Sequence, residues 1–291
     1  MNEFNPAELK KLYIPPSSSH KGQNGKLMIV GGSKLFHGAS LWALKVASRV
    51  VDMVYYSSVP ENNEIVQKLK EEFWDGIIVP RNKIDDYINE ADCVLIGPGL
   101  PRLDGQEKGD DDTKTLTESL LEKYPQKKWV IDGGALQTIN PALIPQNATL
   151  TPHQGEFEKL FRDESRSKNQ ESRGSKNHNS LFMIHDSVRE MAKKYSCLIL
   201  LKGPEDVVCD KNECVRIPGG NAGMTKGGTG DVLAGLVAAL YCKNEAFLAA
   251  TAASYINKKA GESLFKKVGY YFNPSDLADE IPKVMKELIL G

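Results

Sequence analysis

Short apolar runs rich in Val, Ile and Leu recur along this chain, and most of them close on glycine or on a polar cluster. Residues 26–30 lead into Gly31-Gly32-Ser33 and then Gly38-Ala39, and 93–96 into Gly97-Pro98-Gly99. Residues 129–131 lead into Asp132-Gly133-Gly134, 148–150 into Thr151-Pro152-His153-Gln154-Gly155-Glu156, and 197–201 into Lys202-Gly203. Runs this short and this uniformly apolar suit strands buried on both faces. Further strands are expected at 53–57 and 76–79, with a hairpin of 206–209 and 213–217 around a short polar turn. Helical patterns fall at 38–50, 61–72, 113–124, 155–161, 180–195, 231–241, 246–265 and 274–290. Strands alternating with helices predict an α/β fold, with a central, mostly parallel sheet flanked by helices on both faces. No linker or internal repeat divides the chain, so a single domain over 1–291 is expected.

In such sheets, ligands sit beyond the carboxyl ends of the strands. Five polar or glycine-rich turns on that one edge predict a long cleft. The strongest of the local signals lies further on, at Asn221-Ala222-Gly223-Met224-Thr225-Lys226-Gly227-Gly228-Thr229-Gly230-Asp231, which runs straight into the apolar stretch 232–241. Glycine allows the backbone to bend sharply and approach a ligand closely. Free N–H groups at a helix start, with the positive end of the helix dipole, suit a phosphate. Gly227, Gly228, Thr229 and Gly230 are therefore read as an anion hole. Asp231, in the first helical turn, can accept a proton from a hydroxyl near that phosphate. The same acid could also serve only the helix dipole.

Other residues on the edge take provisional roles. Lys202 can pair with a nucleotide phosphate, and His153 can hydrogen-bond a substrate. Glu156 can cap its helix, and Asp132 can orient a metal-bound water or a loop. The G-x-G-x-x-G fingerprint and the Walker A pattern are both absent, so neither a Rossmann nor a P-loop nucleotide site is expected. Residues 103–112 and 162–179 read as mobile loops, the latter as a flexible surface insertion poor in anything to bury. The acids Asp110-Asp111-Asp112 suit a solvated turn or a helix start better than a cation site.

A net charge of -1 gives no reason to expect a nucleic-acid or anionic-membrane surface. No apolar run reaches the length of a membrane span. The five cysteines include no C-x-x-C pair and no zinc spacing, which suits reduced thiols and a cytoplasmic setting.

Taken in order, His20-Lys21-Gly22, Gly31-Gly32-Ser33 with Gly38-Ala39, Gly97-Pro98-Gly99, residues 151–156, Leu201-Lys202-Gly203 and residues 221–231 resemble the ADP/ATP-dependent NAD(P)H-hydrate dehydratases of the ribokinase-like superfamily. The resemblance runs from about His20 to Asp279. It implies a ribokinase-like fold and an Mg²⁺-assisted reaction that restores NADH or NADPH from the S-form of its hydrate, using ADP or ATP. Ala39, Gly99, His153 and Asp231 would contact the hydrated nucleotide. Lys202, Gly203, Pro204, Glu205, Asp206 and Gly230 would contact the adenine nucleotide. The resemblance also implies a homo-oligomer, commonly a tetramer. It leaves ADP against ATP, and NADH hydrate against NADPH hydrate, open.

The chain departs from the family pattern in two places. Asp132-Gly133-Gly134-Ala135-Leu136 stands where relatives often have a second acid, and Lys202–Asp206 is more acidic than usual. About 25 residues precede the first predicted strand, too few for the epimerase domain that many relatives carry, so a separate epimerase is expected. Two rival readings use the same loop. One is a vitamin or sugar kinase of the same superfamily, and the other is a non-catalytic sensor of NAD(P) or ADP.

Overall fold

The computed structural model describes residues 1–162 and 180–291. The expectation for 162–179 therefore lies almost wholly outside the described residues. The strands are β1 (Asn2–Glu3), β2 (Lys26–Val30), β3 (Met53–Ser57), β4 (Ile77–Ile78), β5 (Cys93–Ile96), β6 (Lys128–Ile131), β7 (Ala148–Leu150), β8 (Leu198–Leu201), β9 (Asp206–Cys209) and β10 (Cys214–Ile217). They form one sheet in the order β1-β10-β9-β8-β7-β6-β5-β2-β3-β4. From β4 across to β8 every pairing is parallel. The hairpin β9–β10 adds two antiparallel strands, and β1 closes that side parallel to β10.

The helices are α1 (His37–Ala47), α2 (Pro60–Lys68), α3 (Ile84–Glu90), α4 (Thr113–Lys123), α5 (Gly133–Leu136), α6 (Gln154–Leu160), α7 (Ser180–Tyr195), α8 (Thr229–Tyr241), α9 (Ala246–Val268) and α10 (Pro274–Met285). Side chains alternate across a strand, so each central strand feeds two cores. Leu27, Ile29, Leu95 and Val130 pack with α1, α8, α9 and α10. Met28, Val30, Ile96 and Ile131 pack with α3, α4, α5, α6 and α7 on the opposite face. This is the expected architecture. Every residue of α8 from Val232 to Tyr241 is buried, and each Leu or Val so buried contributes about 1.5–3 kcal/mol. That burial fixes the helix whose first turn carries Asp231.

Several features depart from the sequence reading, among them the short elements β1 and α5, which were not expected. Helix α3 was not expected, because only Ile84 and Ile88 anchor its seven residues, too few for a periodic signal. The 103–112 loop is tied down rather than loose: Asp110 Oδ1 accepts from Lys34 N (2.8 Å), Asp111 pairs with Arg81, and Asp112 caps α4 through Thr115 N (2.7 Å). Cys209 and Cys214 lie directly opposite each other in the hairpin and form a disulfide, where reduced thiols were expected. Cys93, Cys197 and Cys242 are free and buried. No helix among the described residues is long and apolar enough to cross a membrane.

Candidate active site

The glycine loop is held from outside by ring packing. Gly228, the N-cap of α8, has φ 101°. A Cβ there would stand 2.3 Å from the Trp42 ring and 2.6 Å from Pro274, so only glycine fits between α1 and α10. Thr229 Oγ1 donates to Met224 O (2.6 Å) and Lys226 O (2.9 Å), which fastens the loop to the helix start. Val232 N is bonded to Gly228 O at 3.1 Å. The amides of Gly230 and Asp231 precede it in the first turn, where no intrahelical carbonyl is available to them. Upstream, Asn221 Oδ1 accepts from Gly223 N (2.9 Å), and its Nδ2 donates to Gly261 O in α9 (2.8 Å). Met224 sulfur packs over Gly261 and Gly220. Residues 221–224 thus seat the loop on α9.

Lys202 is the centre of a buried charged group. Its residue follows β8 and bridges in parallel to His153 beyond β7. The ammonium donates to Asp132 Oδ1 at 2.8 Å and lies 3.9 Å from Glu156 Oε2. Asp132 and Glu156 are both buried. Thr151 Oγ1 also donates to Asp132 Oδ1 (2.8 Å). A Cβ on Gly230 would meet the Lys202 nitrogen at 3.4 Å, so the ammonium lies against the first turn of α8.

Three acids share that one cation. Burial pushes the Asp231 carboxyl up, and the nearby charges of Asp132 and Glu156 add to the rise against the opposing pull of Lys202; the result is a pKa of about 7. Burial raises Glu156 as well, with Lys202 opposing. Burial pulls Lys202 down, but Asp132, Glu156 and Asp231 outweigh it and hold the ammonium charged.

His153 is the N-cap of α6. Its Nδ1 accepts from Glu156 N (3.2 Å), while Glu156 Oε2 accepts from His153 N (3.0 Å). The reciprocal pair is a capping box, and Glu156 also faces Lys202. The imidazole is 54% exposed, and with Nδ1 accepting, the ring proton sits on Nε2, 3.5 Å from Glu156 Oε1.

Beside this group opens a cavity of about 660 Å³, lined among others by His153, Lys202, Gly203, Pro204, Asp206 and Gly230. Asp206 lines it, but its carboxylate is consumed internally. Gly203 N (2.9 Å) and Ser254 Oγ (2.7 Å) donate to it, and the Lys258 ammonium lies 3.3 Å away. Glu205 pairs with Arg216 instead (3.5 Å) and does not line the cavity. Asp231 does not line it either; its carboxylate feels the Lys202 group through charge. Ala39 and Gly99 lie elsewhere on the edge, against each other: a Cβ on Gly99 would be 3.1 Å from both Ala39 Cβ and Gly32 Cα. The sequence residues therefore divide into three neighbouring sets along one edge.

Lys258 was missed. It is buried, and its ammonium donates to the carbonyl oxygens of Gly203 and Pro204 (3.1 Å each) and Gly219 (3.3 Å). It thereby fixes two turns of the cavity wall. A signal existed: Thr251, Ser254, Lys258 and Gly261 recur at helical spacing on one face of α9, where the apolar pattern demands burial.

The sequence profile of the NAD(P)H-hydrate dehydratases matches residues 27–283. The chain belongs to that family. It is 36% identical over 289 residues to the bifunctional NAD(P)H-hydrate repair enzyme of Methanocaldococcus jannaschii, covering 96% of this chain and 52% of that protein. It is 34% identical over 294 residues to the ADP-dependent (S)-NAD(P)H-hydrate dehydratase of Nitrosopumilus maritimus, covering 96% of this chain and 95% of that one. The chain thus spans about half the length of the bifunctional relative and nearly all of the other. In fold it is similar to the ADP/ATP-dependent NAD(P)H-hydrate dehydratase of Bacillus subtilis crystallised with ATP and Mg²⁺, with a TM-score of 0.73, 20% identity, and 99% and 98% of the two chains covered. A ribokinase-like superfamily protein of Enterococcus faecalis superposes with a TM-score of 0.81 at 22% identity, over 100% and 97% of the chains. The dehydratase family thus shares the expected ribokinase-like architecture.

Proposed function

We propose that this chain is a hydro-lyase that returns the S-forms of NADH hydrate and NADPH hydrate to NADH and NADPH, consuming ADP or ATP. The observation that carries this reading is Asp231: an acid at the mouth of an anion-binding helix start, with a pKa raised to about 7, is matched to general-base work near neutral pH. Family membership and the ADP-dependent dehydratase relative covering 96% of the chain support the same reaction over a vitamin or sugar kinase or a non-catalytic sensor.

In this mechanism Asp231 takes the proton of the ring hydroxyl. The alkoxide oxygen attacks the terminal phosphorus of the nucleotide, and the bond from that phosphorus to the nucleotide oxygen breaks. The amides of the α8 first turn and the Lys202 ammonium hold the equatorial oxygens of the transferring group. The ring nitrogen then expels the new phosphate ester by C–O cleavage, and loss of a proton from the adjacent ring carbon restores the double bond. ADP gives AMP and phosphate. The cavity beside Lys202 receives the adenine nucleotide, with Gly203, Pro204 and Gly230 as its walls. Ala39 and Gly99 are assigned to the hydrated nucleotide, and so is His153, which also lines the cavity beside Lys202.

Among the described residues no set of three or more His, Cys, Asp and Glu is arranged to hold a metal ion; Asp132 and Glu156 converge on an ammonium instead. Mg²⁺ therefore enters this reading as part of the nucleotide substrate, whose phosphate oxygens bind it. A homo-oligomer, a cytoplasmic setting and a functionally linked epimerase complete the proposal.

The test is turnover of chemically prepared NADH hydrate with Mg²⁺ and either ADP or ATP, followed by the return of dihydronicotinamide absorbance. A nucleotide-dependent signal is expected. Accumulation of a stable phosphoester would instead identify a kinase, and nucleotide binding without turnover a sensor.

A further inference from the structure

At the far end of the same strand edge a second cavity, of about 810 Å³, opens between α2 and the turn after β4, with Ser58, Asn63, Glu64, Lys70, Arg81 and Asn82 on its walls. Asn63 is committed locally, since its amide accepts from Ser58 N (3.1 Å) and donates to Ser58 O (3.0 Å). Lys70 is committed too, donating to the carbonyl oxygens of Trp74, Asp75 and Gly76. Arg81 is not. Its Nε and Nη2 both reach one oxygen, Asp111 Oδ2, at 3.1 and 2.6 Å. Its Nη1 is buried and has no hydrogen-bond partner among the described residues. A guanidinium carries five N–H donors in one plane, and that fork matches the oxygens of a phosphate.

Position narrows the ligand. Arg81 follows β4, the outermost strand, while Asp132, beside Lys202 and Asp231, follows β6. Strands β5, β2 and β3 lie between. Four strand spacings of about 4.8 Å come to roughly 19 Å, the scale of an extended dinucleotide laid across the strand ends. Gly32 follows β2, between the two. It borders Gly99 and, through it, Ala39 on one side; a Cβ on Gly32 would run into Asn62 and Ser58 on the other.

We infer that this cavity receives the adenosine end of the dinucleotide and that Arg81 holds its ribose 2′-phosphate. Arg81 is then the residue that separates NADPH hydrate from NADH hydrate, and Asp111 is a carboxylate competing for the same fork. The inference rests on the dehydratase reading above.

The experiment compares wild type, Arg81→Met and Asp111→Asn. KM and kcat are measured for both hydrates, and Kd is measured for NADP⁺ and NAD⁺ by calorimetry. Arg81→Met is expected to raise the ratio of KM for NADPH hydrate to KM for NADH hydrate by about tenfold or more, as for loss of a charged hydrogen bond, with the change on KM rather than kcat. Asp111→Asn frees the fork and is expected to move the ratio the opposite way, which a merely damaged loop cannot do. An unchanged ratio in Arg81→Met, or equal weakening of both substrates, overturns the inference. If wild type turns over neither hydrate, the dehydratase reading falls by itself. The ratio of Kd for NADP⁺ to Kd for NAD⁺ in the same variants still decides the role of Arg81.

Discussion

Two lysines wall the same cavity and do opposite work. Lys258, on α9, has 6% of its side chain exposed, and its hydrogen bonds go to three backbone carbonyls beside a single acid, Asp206. That acid is itself satisfied by Gly203 N and Ser254 Oγ. Lys202, at the end of β8, faces three acids: one in tight contact, one at 3.9 Å, and Asp231 acting through its charge. The first arrangement is balanced and closed. The second holds more negative charge than its one cation neutralises, and a proton is the cheapest way to relieve it. The difference separates a structural clamp from a reactive site: buried charge becomes chemistry only where the local charge count is left uneven.

The largest expected effect comes from removing the uneven charge. Asp231→Asn is expected to lower kcat by about 10²- to 10⁴-fold, the usual worth of a general base. It is also expected to stabilise the fold at alkaline pH. The folded carboxyl, at about 7, titrates above its ordinary value of 3.8. The stability tied to its protonated form is complete below about 3.8 and is lost as pH rises through about 7. An Asn escapes that loss, so its melting temperature should exceed that of wild type at pH 8, with the gap shrinking toward pH 5. In wild type, kcat/KM should climb with pH and level off above about 7. A variant that loses activity without gaining stability at pH 8 would mean Asp231 does not carry the strain assigned to it.

Next is the cation of that group. Lys202→Met leaves Asp132 and Glu156 buried without their partner, a change on the order of 3–5 kcal/mol. Because Lys202 pulls the Asp231 carboxyl down, its loss should move the rising edge of the pH–rate profile to higher pH. Denaturant melts and a pH profile of kcat/KM measure the two effects separately. If the edge stays in place, Lys202 does not tune Asp231.

Lys258→Met sharpens the contrast. It should loosen the Gly203–Pro204 and Gly219 turns, raise KM for the nucleotide, and destabilise the chain by about 1–3 kcal/mol for carbonyls and an acid left short of donors. The pH edge should not move, since the leading influences on Asp231 are burial, Asp132, Lys202 and Glu156. A shifted edge would merge the two lysines into one electrostatic unit and break the comparison.

How far the sequence reveals these sites depends on whether the information is local. Gly227–Asp231 and the strand-end turns are legible because each is a contiguous stretch with its own backbone demands. The parallel sheet is legible because its strands are uniformly apolar. Asn221–Met224 stands out as a motif, yet its work is seating the loop against Gly261, a residue some forty positions away in sequence, so its purpose is not visible in the stretch itself. Lys258 and Arg81 are ordinary-looking basic residues until the fold brings acids, carbonyls and cavities to them. The Cys209–Cys214 bridge needs the hairpin register, which the expected start of the second strand at 213 does not supply.

The smallest effect is the most discriminating for His153. Its imidazole is both the cap of α6 and an exposed group on the cavity wall, and these roles respond differently to substitution. His153→Asn keeps an acceptor for Glu156 N, since Asn is a strong N-cap, while His153→Ala removes it and should lower stability by about 0.5–2 kcal/mol. If His153 also contacts the hydrated nucleotide, both variants should raise its KM by a similar factor despite their different melting temperatures. If KM follows stability and recovers in the Asn variant, the histidine serves the site only by holding Glu156 against Lys202. The lysine group would then gain a further supporting residue, and the packed pair Ala39 and Gly99 would be left as the proposed contact for the hydrated nucleotide.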